Sequence, residues 1–147
     1  MSRPVKEVKP HLRLDPVTRR ALLVEAAAEV FRDREPTDVS FEEVAEAGGV
    51  SRSLVYAYFG DRGGLIAAVY LHNLQRLDGQ VGMSLGGHMP DRLELRRLIR
   101  RYLRFARDNP ASWNLMAAAS TIQHPAVQEV RRSRIERIAD AWASEPS

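Results

Sequence analysis

Apolar positions along the chain recur at helical rather than strand spacing almost throughout. From Pro16 to about Arg34, Leu22, Leu23, Ala26, Val30 and Phe31 form one apolar face. Asp15 stands where a cap belongs, and Pro16 takes the first helical position, where a backbone N–H has no partner anyway. Phe41, Val44 and Ala45 fall at i, i+3 and i+4 in a second, shorter pattern. Ser40 precedes it with Glu43 at the spacing of a capping box, and Gly48-Gly49 close it. Ser51 caps a third pattern from Arg52 to about Tyr58, in which Val55, Tyr58 and Phe59 face inward. Ser53 and Ala57 then point outward, with Leu54 and Tyr56 on the flanks. A fourth helix is predicted from about Gly63 to Leu77 or Val81, followed by a loop rich in glycine (82, 86 and 87) and Pro90. Asp91 caps an amphipathic helix that ends at Asp108, where Asn109-Pro110 breaks it. Further helices are predicted from Ala111 to Ile122 and from Pro125 to near Trp142. No stretch alternates as a strand does and nothing repeats, so the predicted fold class is all-α.

The two short patterns joined by a glycine turn, with Val50 to plug the corner, have the sequence form of a helix-turn-helix. The small outward residues of the second would let it approach a duplex groove closely. Phe31, Ser40, Val44-Ala45, Gly48-Gly49-Val50-Ser51, Tyr56-Ala57-Tyr58-Phe59, Arg62 and Leu65 follow one another at characteristic spacings. In that order the segment resembles the DNA-binding domain of the TetR family of bacterial transcriptional repressors, in register over about Val17 to Val69. The resemblance implies an N-terminal three-helix DNA-binding domain over residues 16–62 and a helical ligand-binding and dimerisation domain over residues 63–147. It implies a ligand-responsive repressor that binds a palindromic double-stranded operator as a homodimer and answers to a small-molecule effector. The DNA-contacting positions would be Arg19, Ser40, Ser51, Arg52, Ser53, Leu54, Tyr56, Ala57 and Arg62. There are departures. Glu35-Pro36 stand where the family has glycine and an aromatic, Leu54 replaces a common Thr, and Ala57 replaces a larger residue. Gly63 and Gly64 weaken the start of the fourth helix, each by ~1 kcal/mol relative to alanine.

The helix from Asp91 to Asp108 carries arginines at 92, 96, 97, 100, 101, 104 and 107 opposite Leu95, Leu98, Ile99, Tyr102, Phe105 and Ala106. A solvated face explains the arginines more simply than a second nucleic-acid surface. Under the resemblance this helix would form part of a pocket wall, with Tyr102, Phe105, Trp113, Met116 and His124 as candidate lining residues. Ordinary core packing accounts for the same residues. The second half is short for the family: either the chain is truncated, or it dimerises through fewer helices.

Charge changes the picture in one respect. The 147-residue chain has a formal net charge of +3, which permits polyanion binding without requiring it. Arg19 to Gly64, however, hold more acids than arginines, a poor balance for a module that sits on phosphates. Residues 1–15 carry Arg3, Lys6, Lys9 and Arg13 between prolines 4 and 10. We expect them to be disordered and to act as a basic arm that supplies phosphate contacts. The absence of cysteine removes disulfides and thiolate metal sites. The histidines at 11, 72, 88 and 124 show no helical pairing, so no metal or cofactor is expected, nor an enzyme. No stretch is apolar enough for a membrane span, and no apolar core follows the basic N-terminus, so a cytoplasmic location is expected. The acidic balance leaves one alternative: a helical protein–protein or small-molecule-binding module that no longer reads DNA.

Overall fold

The computed structural model describes residues 15–82 and 89–143. Apart from Asp15, the expected basic arm lies outside these residues, as do glycines 86 and 87 of the expected loop. The described residues form helices and turns without strands: α1 (Pro16–Phe31), a 3-10 turn (Pro36–Asp38), α2 (Phe41–Gly48), α3 (Arg52–Phe59), α4 (Arg62–Val81), α5 (Arg92–Asp108), α6 (Pro110–Ala119) and α7 (Pro125–Ala143).

Local chemistry sets most of these boundaries. The Asp15 carboxylate accepts from the Thr18 amide, and Pro16 opens α1. Helix α1 stops at Phe31, short of the expected Arg34, because Asp33 enters the left-handed region (φ 58°) and Pro36 then opens the 3-10 turn. The Glu35-Pro36 departure thus has a structural role, since Pro36 is buried beneath the turn. The apolar face of α1 also differs from the expected one. Leu23, Val24, Ala27 and Phe31 are buried, whereas Leu22 is largely exposed. Rotation by about one residue satisfies the same helical period with a different edge.

Helix α4 lies at the centre. Leu65 to Tyr70 are buried without interruption, and Asn73, Leu74, Leu77 and Val81 continue the buried set. It packs against α1, α3, α5, α6 and α7. One hydrophobic cluster therefore runs from Leu23 to Val127 across both halves. Helix α7 is tied to α4 by a two-pronged ion pair, in which Arg134 donates to both oxygens of Asp78 at 2.5 and 2.7 Å. Helix α5 meets its neighbours along Leu98, Tyr102 and Phe105, of which Phe105 is fully buried. Leu95 and Ile99, expected on that same stripe, are exposed, and so is Leu103.

Candidate nucleic-acid interface

The helix-turn-helix is built by two caps and one glycine. At α2, the Ser40 hydroxyl accepts from the Glu43 amide at 3.2 Å while the Ser40 amide donates back to the Glu43 carboxylate at 2.8 Å. Gly49 ends α2 in the left-handed region (φ 64°), where a side chain would be strained. The Ser51 hydroxyl then accepts from the Leu54 amide at 3.1 Å and starts α3. Phe41, Val44 and Ala45 of α2 and Val55 and Phe59 of α3 are buried, with Tyr58 half-buried against them. The opposite face of α3 is thereby left to solvent.

That outer face holds Arg52, Ser53, Tyr56 and Ala57, all exposed, with Leu54 half-buried at the flank. Tyr56 is not a free tentacle. Its ring stacks flat on Phe41, with centroids 4.1 Å apart and planes 3° from parallel. Arg52 lies over the same ring at 5.3 Å and donates to the Tyr56 hydroxyl at 3.1 Å and to the Glu42 carboxylate at 2.9 Å. This arrangement fixes two long side chains on the outer surface without burying them. The Ser53 hydroxyl makes no hydrogen bond among the described residues, and Ser53 and Ala57 present only small groups.

The remaining candidates serve the frame as much as the surface. Ser40 and Ser51 spend their hydroxyl acceptors on caps. Arg62, the first residue of α4, donates to the Thr37 carbonyl at 2.7 Å and so ties α4 to the 3-10 turn. Arg19 is half-buried on α1. Arg20, the neighbour of the candidate Arg19, holds its guanidinium 5.2 Å from the centroid of the Phe59 ring.

Two ion pairs temper the acidic balance of the module. Glu42 pairs with Arg52. Glu43 pairs with Arg34, which also donates to the Asp38 carbonyl at 3.0 Å. The Arg34 hydrogen bond, followed by that of the Ser40 amide, lowers the Glu43 carboxyl to about 2. Two of the acids that would repel phosphates therefore already face guanidinium groups.

The five expected pocket residues differ in their burial. Phe105 and Met116 are core, and Trp113 is largely exposed. Tyr102 is half-buried near Arg134 and Asp78, and burial raises its phenol. His124 reaches Asp61, with Nε2 and Oδ2 3.2 Å apart. None of them lines a groove of about 670 Å³ between α1, α4 and the α5–α6 corner. Its walls include Glu25, Glu29, His72, Asn73, Arg76 and Asn109. Burial there pushes the His72 imidazolium toward its neutral form. Among the described residues no cluster of three metal-ligating side chains occurs, and no helix is long and apolar enough to cross a membrane.

Comparison with known proteins agrees with this geometry. Residues 23–69 match the model of the bacterial regulatory proteins of the tetR family. An HTH-type transcriptional regulator of Mycobacterium tuberculosis is 31% identical over 117 residues, which cover 80% of this chain and 56% of that protein. The HTH-type transcriptional regulator BetI of Rhizobium meliloti is 32% identical over 84% of this chain and 60% of its own length. The chain thus spans little more than half the length of these curated relatives. The solved structure of a TetR-like transcriptional regulator from Rhodococcus sp. RHA1 superposes with a TM-score of 0.64 at 26% identity, over 88% of this chain and 72% of that one. A tetR-family regulator from Streptomyces coelicolor gives a TM-score of 0.63 at 24% identity and shows the same fold. The matched residues start in α1 and end in α4, enclosing the whole helix-turn-helix, and over this segment the chain matches the tetR family of bacterial regulatory proteins.

Proposed function

We propose that this chain is a transcriptional regulator that reads double-stranded DNA through the outer face of α3. The observation that carries the reading is a surface of Arg52, Ser53, Tyr56 and Ala57, held rigid by the Phe41–Tyr56 stack on a helix anchored by Val55 and Phe59. Arg52 and Tyr56 would contact phosphates or base edges, and Ser53 and Ala57 would admit the groove close to the helix. Arg19, Arg20 and Arg62 border the module, and the basic residues of the first fifteen positions would add phosphate contacts. Half-sites in such operators lie one DNA turn apart, ~34 Å, so the working form would be a homodimer. We further propose that it acts in the cytoplasm as a repressor whose DNA affinity answers to a small molecule. One relative, FasR of Mycolicibacterium smegmatis, is named an activator, so a promoter–reporter measurement must fix the sign.

Light scattering combined with a salt-titrated shift assay on the gene's own upstream DNA tests the proposal. A dimer whose binding falls steeply with salt is expected. A monomer without salt-dependent binding would favour the second reading, a helical protein- or small-molecule-binding module. The pairing of Arg52 and Arg34 with Glu42 and Glu43 supports that second reading, because it occupies guanidinium groups that a duplex would otherwise use.

A further inference from the structure

We infer that His124 is a positioning residue for the recognition helix, acting through Asp61; the inference rests on the DNA-binding reading of α3. Helix α3 ends at Phe59, and Gly60 leads directly into Asp61, whose carboxylate caps α4 by accepting from the Gly64 amide at 2.8 Å. Residues 60–64 are therefore the covalent joint between α3 and α4. Into this corner reaches a residue more than sixty positions away.

His124 sits immediately before α7 and carries three constraints. Its Nδ1 accepts from the Ala126 amide at 3.1 Å, so in the neutral ring the proton belongs on Nε2. That Nε2–H donates to the Asp61 Oδ2 that the cap leaves open, at 3.2 Å. The ring also lies against Gly63, where an added Cβ would come within 2.1 Å of His124 Cδ2. Gly63, which otherwise weakens the start of a helix, is explained by this contact: only a residue without a side chain leaves room for the imidazole. Both bonds hold the Asp61 carboxylate down, the Gly64 amide first and His124 second.

The consequence is mechanical. The segment between α6 and α7 grips the corner that joins α3 to α4, through a side chain held by two hydrogen bonds and by its contact with Gly63. A shift of α7 along α4 would pull on the Asp61 cap before it disturbed the core of the helix-turn-helix. His124 is thus assigned to the corner between α3 and α4 rather than to a ligand pocket.

The test uses the full chain with His124→Ala, Asp61→Asn and the double variant. Asparagine is as good a cap as aspartate, so D61N keeps α4 capped. It places a donor, or a weaker acceptor, opposite Nε2. Affinity for the upstream duplex is read by fluorescence anisotropy, and amide hydrogen exchange of residues 60–65 is read without DNA. Each single variant should lose roughly tenfold in affinity, within the usual range for coupled sites, and the double variant should lose no more. Exchange at the corner should rise in H124A while helix content stays constant. Wild-type affinity in both single variants, or losses that multiply in the double variant, would overturn the assignment. If the wild-type chain binds no duplex, the DNA reading fails, and the positioning role falls with it. The exchange data would then still show whether His124 orders the corner.

Discussion

Arg52 faces a choice of partners. In the free protein it is shared between the Tyr56 hydroxyl and Glu42, and a phosphate or base edge would have to displace the carboxylate. Glu42→Gln should therefore tighten duplex binding, whereas Arg52→Ala should weaken it and reduce the slope of log affinity against log salt by about 1. Anisotropy titrations between low and moderate salt measure both. Tyr56→Ala removes the stack on Phe41 together with the Arg52 anchor, and should weaken binding without unfolding the chain, as circular dichroism would report. Glu43 supplies a pH signature. Its carboxyl is lowered to about 2 in the folded protein from an ordinary value of 4.5, so its contribution to stability is complete above pH 4.5. The contribution declines as the pH falls through that value and is gone below about 2. Urea unfolding followed downward from pH 6 should show this decline, and Glu43→Gln should flatten it.

At the scale of the element, the two faces of α3 should respond oppositely to substitution. Val55→Ala or Phe59→Ala removes buried volume and should cost about 2–5 kcal/mol in denaturant unfolding. Ser53→Ala and Ala57→Ser should stay within about 0.5 kcal/mol while altering duplex affinity. Gly49→Ala forces a side chain into the left-handed region and should cost about 1 kcal/mol. These helices were legible in sequence because their determinants are local. Ser40 with Glu43, Gly49 and Ser51 each act within a few residues and occur as read. The end of α1 was less legible, since it depends on Asp33 and Pro36 fitting under a turn. The inward face of α1 was misjudged at Leu22, because neighbouring residues satisfy the same period and the packing partner chooses between them.

Across the whole molecule, the limits of the sequence lie in long-range contacts. Nothing near His124 in sequence announces Asp61, and nothing near Arg134 announces Asp78. Which of the five candidate pocket residues share a space depends on how α4, α5, α6 and α7 cross. The Arg134–Asp78 pair supplies a further check at this scale. Both side chains are mostly buried, so Asp78→Ala strands a guanidinium and should destabilise the chain by about 2–4 kcal/mol. Asp78→Asn should cost less, as thermal unfolding would show. Helix α4, buried without interruption from Leu65 to Tyr70 and flanked by both halves, has a consequence for engineering and for descent alike. A chimaera spliced at residue 62 would separate the reading head from the helix on which it is seated. One spliced after Val81 would strip the other half of its central support. Recombination between relatives could exchange the two halves only if α4 and its partners on both sides travelled together, so this fold should diversify by point substitution on α3 rather than by shuffling of its parts.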